Sequence, residues 1–539
     1  MSLSKANSSG ATATKNRISD VAPQSGICAV CLDGCGGGCE VFMSSLRGRE
    51  VIYPQPFGKV TAGATKDYPV DLSHFNIMGT AVGAVGVKAD SDVAVFPAVN
   101  IQNEIGNKKK IKLKVPIVTG ALGSTEIARV NWEPMAIGAA LAGVIIVVGE
   151  NVCGMDPQSE IKNGRVVNSP EMARRVKVFK DWYQGYGEIL VQHNVEDYRL
   201  GLMPYVIEKL GVDAVEIKWG QGAKDIGGEV KLPSLDRAKQ LKSRGYLVFP
   251  DPDNHAIQEA FRVGEIKEFE RHSRLGMVDE DDFHKEVADL RKLGAQFISL
   301  KTGAYRPADL ARAIKFASDA KLDLLTVDGA GGGTGMSPWR MMNEWGVPTV
   351  YIESLLYKYA KQLAAQKRYV PPLAVGGGLS LEDHMFKVIA MGAPFIKAVL
   401  MGRATMIPAM VGKNIENWLK EGQKLPKDIS RHGEKPEEFY ALYETMKAKL
   451  GKDFGKLPLG AIGMYTYLDR LAVGLQQLMA GARKFSLEHI TRDDLVALTQ
   501  EAADVSGITY IMDSDAKEVE KILSGKVSGK AKGRKSSAA

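Results

Sequence analysis

FISLKTGAYRPADLARAIKFASDAKLDLLTVDGAGGGTG, spanning Phe297–Gly335, carries the pattern that decides the fold. It opens on a short apolar run, Phe297 to Lys301, that does not alternate with polar residues. Such a run suits a strand buried on both faces. A helix is expected over Arg306 to Ala320, because Pro307 suits a first helical turn and Leu310, Ile314 and Ala317 recur on one face. A second apolar run, Leu324 to Asp328, breaks into the glycines of 329–335. Strand, helix and strand in this order form a unit of a parallel sheet whose faces are covered by helices.

The same unit recurs outward in both directions. Upstream strands are expected at Val115 to Thr119, Val144 to Val148, Glu188 to Gln192 and Ala214 to Lys218, and downstream ones at Leu373 to Gly376 and Phe395 to Met401. Eight strands between residues 111 and 410 predict an α/β fold of the closed (β/α)8 TIM-barrel type. A doubly wound open sheet is the alternative, but no GxGxxG loop lies near the first strands. Around the barrel, the sequence divides into an arm with a cysteine cluster (1–50), a glycine-rich segment that wraps the barrel or carries short strands (51–110), a helical C-terminal region (411–523) and a disordered basic tail (524–539). Insertions are expected at 154–187 and 230–290, and the run Tyr246 to Pro250 in the latter reads as an extra strand.

Composition excludes several classes of function. The net charge of +7 arises mostly from Lys526, Lys530, Lys532, Arg534 and Lys535 in the tail, so no folded basic face for nucleic acid is expected. No segment is apolar over the roughly eighteen residues needed to span a membrane. Met1 to Asp20 is polar and lacks a secretory core, which leads to an expected cytoplasmic location. Neither a GxSxG elbow, a P-loop nor an HxxxH pair occurs, which argues against acyl transfer, P-loop hydrolysis and hydrolytic metal chemistry.

Candidate chemistry concentrates at the strand ends. Gly120, Gly149, Gly220, Gly222, the glycines of 329–335, Gly376, Gly377, Gly378 and Gly402 all follow strands, and in a barrel these loops share one face. Glycine lets main-chain N–H groups approach an anion closely. Lys218 and Lys301 end two strands, where lysine either holds a ligand anion or forms a rim ion pair. Cys28, Cys31, Cys35 and Cys39 lie close enough in sequence to wrap one centre, a [4Fe-4S] cluster or zinc, or to hold no metal. Cys153 is alone and reads as a buried apolar residue.

Several of these segments resemble the FMN-binding synthase domain of glutamate synthase. Glu216 to Lys224 (EIKWGQGAK), then Gly227-Gly228 and Leu232-Pro233, is similar to its signature. Asp328 to Pro338 resembles its glycine-rich loop with extra residues, and Gly120 to Ser124 and Gly149-Glu150 resemble its first two strand-end turns. Lys301, Gly376 to Gly378, Gly392-Ala393 and Gly402 match its fifth-strand lysine and phosphate loops, and His255 an inserted histidine.

The resemblance implies an FMN oxidoreductase that aminates 2-oxoglutarate with ammonia. Gly120, Ala121, Lys218, Gln221, Lys301, Gly332, Gly333, Gly376, Gly377, Gly378, Gly402 and Arg403 would hold the flavin, and Lys218, Lys301 and Glu150 would serve the reaction. The flavin phosphate is expected between Gly376 to Gly378 and Gly402 with Arg403, facing a helix capped by Ser380. Electrons would come from a ferredoxin-like partner through the cysteine cluster, nitrogen from a glutaminase subunit or free ammonia, and an oligomer is expected. The departures are a cysteine-free stretch at Gly402 to Met410, where the family carries its cluster, and the lack of an N-terminal glutaminase domain. The missing cluster and the altered 329–338 loop motivate an alternative, a flavoenzyme for another 2-oxo acid or amine. The four N-terminal cysteines motivate a second one, an electron-relay subunit of a larger complex, against which the intact glycine loops argue.

Overall fold

The computed structural model describes residues 31–525 except 32, 37 and 225. Cys28 and the tail from Lys526 onward, on which two of the expectations above rest, lie outside the described residues.

Eight parallel strands close into a barrel in chain order: β1 (Ile117–Thr119), β2 (Ile145–Val148), β3 (Glu188–His193), β4 (Ala214–Lys218), β5 (Phe297–Thr302), β6 (Leu324–Asp328), β7 (Leu373–Gly376) and β8 (Ile396–Met401). Closure is completed by β8 pairing with β1, through Val399 opposite Ile117. The main crossover helices are α1 (Glu126–Ala142), α2 (Pro170–Trp182), α3 (Glu280–Leu293), α4 (Pro307–Asp319), α5 (Thr349–Ala365) and α6 (Glu382–Met391). Between β3 and β4 the crossover is broken into short helical pieces from Val195 to Lys209.

The barrel interior changes chemistry from bottom to top. In the register of β4 and β5, Ala214 lies opposite Phe297, Glu216 opposite Ser299, and Lys218 opposite Lys301. The lowest tier is thus apolar, the middle one is hydrogen-bonded and the top one is charged. Ser299 Oγ donates to Glu216 at 3.0 Å and Gln192 Nε2 donates to the same carboxylate at 2.6 Å, which satisfies a group that burial would otherwise penalise. An antiparallel hairpin, Asn103–Ile105 with Ile111–Leu113, plugs the bottom. Its Ile105, Ile111 and Leu113 join the interior cluster of Phe297, Leu324 and Ala214.

The segment 51–110 therefore both plugs the barrel and crosses its top. At the top, Gly333 and Gly335 leave no room for side chains, because a Cβ there would stand 2.0 Å from the Ala62 carbonyl oxygen and 1.7 Å from that of Val60. The main chain of this strap thus lies directly on the glycine-rich loop after β6. Asn343 Oδ1 accepts the Thr65 N–H at 2.9 Å and anchors the strap's far end.

The region after the barrel is helical. α7 (Arg403–Lys420) follows β8 directly, and α8 (Leu459–Gly481) packs across α1 and α7. Met464, Leu468, Leu471, Leu475 and Met479 recur every three or four residues and are fully buried, each contributing roughly 2 kcal/mol. A Cβ on Gly412 would meet the Gly460 Cα at 2.4 Å, so glycine sets the closeness of α7 and α8. Among the described residues no helix is long and apolar enough to cross a membrane.

Candidate active site

The loops after the strands enclose a cavity of about 750 Å³ at the top of the barrel, beneath the strap. This lies within the range for small-molecule and cofactor sites. Its two ends differ in material.

One end is main chain. Gly377 and Gly378 follow β7 with φ of 123° and 78°, a conformation that side chains resist. Thr349 Oγ1, at the start of α5, is bonded to the carbonyl oxygens of Ala330 at 3.0 Å and Gly377 at 2.9 Å, so it clips the β6 and β7 loops together. Gly402 ends β8 with open space where a Cβ would point, and α7 begins there without a side-chain cap. Arg403 is the first residue of α7, and its guanidinium abuts Gly63 of the strap. Gly120, from β1, lies so near that a Cβ would be 2.6 Å from the Gly402 Cα. A helix start without a cap, bare N–H groups and an arginine together suit a phosphate. Gly332, Gly333 and Ala121 line the same cavity, whereas Gly376 faces the Leu400 side chain.

The cap expected at Ser380 does not form. Leu381 precedes α6, and the Ser380 carbonyl accepts a hydrogen bond from Tyr467 Oη at 2.5 Å. The Ser380 N–H is taken by His384 Nδ1 at 3.1 Å. His384 is accordingly half-buried.

The other end is charged side chain. Gly149 allows the β2 loop to turn against Gly123, whose nitrogen a Cβ would approach to 2.6 Å. The turn places Glu150 in the cavity wall, with Oε1 2.8 Å from Lys218 Nζ. Lys218 Nζ also donates to Gln221 Oε1 at 2.9 Å. Lys218 itself sits behind Glu150 and Gln221, which line the cavity. Burial pushes the Glu150 carboxyl up, but the charges of Lys218 and Lys224 outweigh it and hold the group at about 2. Lys301 lines the floor 3.4 Å from Asp328 Oδ2.

Sequence reasoning missed two cations here. Lys224, in the loop after β4, lines the cavity, is only partly exposed, and makes no ion pair among the described residues. Burial brings its ammonium down to about 8, with Glu150 opposing and Lys218 and Arg271 adding to the fall. Arg271 comes from a three-stranded antiparallel sheet in the 230–290 insertion. Phe269–His272 is the middle strand, between Glu229–Leu232 and Leu247–Phe249. Arg271 is 3% exposed, lines the cavity, and its Nε has no hydrogen-bond partner. The signal for Lys224 was present in the quoted QGAK segment, but nothing local marks Arg271.

His255 and the described cysteines lie outside the cavity. His255 starts an exposed helix, His255–Arg262, away from the cavity. Cys153 is fully buried in the core, as its isolation in the sequence suggested. Cys31 and Cys35 are exposed, and Cys39 caps the helix Glu40–Arg47, its Sγ accepting the Phe42 N–H at 3.5 Å. Among the described residues the one potential metal-ligand group is Glu280, His284 and Asp319, and Lys315 already bridges its two carboxylates at the surface. The expected [4Fe-4S] cluster is therefore withdrawn, because among the described residues Cys31, Cys35 and Cys39 do not converge into a metal-ligand group.

Comparison with known proteins narrows the reading. Residues 271–412 match the family described as a conserved region in glutamate synthase. The match begins at Arg271 and ends within α7, so it covers the β5–β8 half of the barrel. No curated protein matches the chain in sequence. Among solved structures, the flavin-binding domain of baker's yeast flavocytochrome b2 is 13% identical, with a TM-score of 0.44 over 87% of this chain and 84% of that one. The monotopic membrane protein (S)-mandelate dehydrogenase is 12% identical, with a TM-score of 0.43 over 79% and 89%. A lactate oxidase of Pediococcus acidilactici, marked as putative, is 14% identical, with a TM-score of 0.39 over 77% and 81%. The match to the glutamate synthase region stops short of half the chain, and among the described residues the cysteines form no metal-ligand group. The expected amination of 2-oxoglutarate by electrons from an iron–sulfur partner is accordingly withdrawn.

Proposed function

We propose that this chain is an FMN-dependent oxidoreductase acting on a small carboxylate-bearing substrate, a 2-oxo acid or amine. The carrying observation is the pair Lys224 and Arg271, the first partly exposed in the cavity wall and the second buried there, with no ion-pair partner for either among the described residues. A buried charge without a partner is costly, so an anion of the ligand is its natural complement.

The cavity fits a flavin mononucleotide in the direction the two ends dictate. Gly377, Gly378, Gly402 and Arg403 would hold the phosphate, and Lys301 on the floor would lie under the ring system. When bound, the flavin supplies hydride transfer. Lys224 and Arg271 orient the substrate carboxylate, and Glu150 stays ionised beside Lys218. Glu150, fixed on the β2 loop, places a permanent negative charge in the cavity wall, and the strap residues Phe57 to Gly63 limit water access from above.

The test is direct. Purified protein should carry, or take up, a yellow cofactor released as FMN on denaturation. Anaerobic titration with a panel of 2-hydroxy acids, amino acids and amines should bleach it with at least one compound. Protein that remains colourless in excess FMN overturns the reading.

A further inference from the structure

Arg271 reaches the cavity from an insertion, so something must fix the insertion against the barrel. Tyr246 does this. It precedes the strand Leu247–Phe249, is 3% exposed, and its ring lies 4.9 Å from the Arg271 guanidinium carbon. Its hydroxyl donates to Asn151 Oδ1 at 3.2 Å. Asn151 is the neighbour of Glu150 on the β2 loop and lines the cavity. It adopts a left-handed conformation with φ of 64°, and the buried Asp197 carboxylate accepts its N–H at 2.9 Å. Gly154 makes room for the contact, because a Cβ there would lie 1.8 Å from the Tyr246 hydroxyl. Ser273 Oγ accepts from Arg271 Nη1 and holds the other side of the guanidinium.

We infer that Tyr246 and Asn151 are positioning residues for substrate binding. Tyr246 holds the face of the Arg271 guanidinium and, through one hydrogen bond, ties it to the loop that carries Glu150. Other contacts, such as the Arg274–Glu196 ion pair at 2.9 Å, also join insertion and barrel, but the Tyr246–Asn151 bond is the one that links the Arg271 guanidinium to the loop of Glu150. Cation–π packing fixes the guanidinium plane, and the hydrogen bond fixes the ring. This inference rests on the reading of Arg271 as the substrate's anion partner. It adds that substrates are selected by the spacing between carboxylate and reacting carbon, and that Tyr246 sets this spacing from outside the cavity.

Oxalate serves as the probe, a small dicarboxylate, titrated calorimetrically into the FMN-loaded protein. Tyr246→Phe keeps the ring and its volume and removes only the hydroxyl. It should weaken oxalate binding roughly tenfold while leaving bound FMN unchanged. In an Arg271→Ala background the same change should have no further effect, because Tyr246 acts through Arg271. An Asn151→Gly variant, which removes the same hydrogen bond from the other side and suits the left-handed backbone, should match Tyr246→Phe. Wild-type affinity in Tyr246→Phe, with oxalate binding lost in Arg271→Ala, overturns the positioning role and leaves the anion site standing. Additive losses in the double variant overturn it too. Wild-type protein that takes up no oxalate, or Arg271→Ala that binds it normally, removes the anion site and this inference with it.

Discussion

Around Gly377 and Gly402 the cavity wall is main chain, whereas around Lys224 and Arg271 it is charged side chain. The first end is assembled from residues that lie next to one another on β7, β8 and α7, held by clips such as Thr349 to the Gly377 carbonyl. The second gathers Glu150 from β2, Lys218 and Lys224 from β4 and its loop, and Arg271 from a separate sheet. A main-chain site fails through its shape, so damage there disturbs folding and cofactor together. A side-chain site fails through its charge, so damage there removes a ligand contact and leaves the fold intact.

The largest effect that sharpens this contrast is expected from Gly377→Val. The residue has φ of 123°, and its Cβ would stand 2.2 Å from Thr349 Oγ1 and 2.6 Å from the Gly329 carbonyl oxygen. The carbonyl is main chain and cannot rotate away. Backbone strain and collision should together cost about 3 kcal/mol or more, with a clear fall in Tm and loss of bound FMN. A variant that melts with the wild type and retains its flavin would show that this loop has slack, and the contrast would collapse.

Next in size are Arg271→Ala and Lys224→Met. Each should weaken oxalate binding roughly a hundredfold, or about 2.7 kcal/mol, with flavin content unchanged. Lys224→Met should also melt at or above the wild-type temperature, because it removes a buried charge that lacks a partner. A marked drop in Tm for Lys224→Met, by differential scanning calorimetry, would mean that the ammonium is paired within the protein and is not waiting for a ligand.

Arg403→Ala is expected to have a smaller effect. The side chain is exposed at the start of α7, where solvent screens it. Its removal should cost FMN about 1 kcal/mol of affinity and leave riboflavin unaffected, since riboflavin lacks the phosphate. Equal losses for both flavins in parallel fluorescence titrations would place Arg403 against the ring or the strap instead.

How far the sequence reaches follows the same division. The strands were legible because each is a short apolar run ended by glycine. β4, β6 and β7 have the bounds expected for them, and the shifts elsewhere have local causes. β1 starts at Ile117 and not Val115, since Pro116 has no N–H to give the ladder. β2 starts at Ile145 because the Val144 N–H is taken by the Ala139 carbonyl at the end of α1, at 3.2 Å. The glycines of the main-chain end were equally visible, because each announces its own backbone need. Arg271 and Tyr246 announce nothing, being ordinary residues of a short strand and its approach, and only the docking of the insertion gives them a task. The cysteines show the reverse error. Spacing that would suit a metal suits a helix start equally well, and it is the N–H of Phe42 that takes the Cys39 sulfur.

The finest test of the charged end uses pH. Burial, assisted by Lys218 and Arg271 and opposed by Glu150, brings the Lys224 ammonium from its ordinary 10.5 down to about 8. Between these two values the unfolded chain holds a proton that the folded protein has released. Unfolded protein binding more protons means that stability rises with pH. The cost of the buried charge is thus fully present below pH 8 and fades as pH climbs toward 10.5. Anion binding must run the opposite way, constant below pH 8 and falling above it as the ammonium is lost. Many other groups titrate in this range, so the informative quantity is the difference between wild type and Lys224→Met. In Tm without ligand, the deficit of the wild type should shrink as pH rises through this window. In oxalate affinity, the advantage of the wild type should shrink over the same window. A wild-type deficit in Tm that stays constant across this window, or an oxalate affinity indifferent to pH across it, would show that Lys224 is not the titrating partner of the anion and leave Arg271 to bind it.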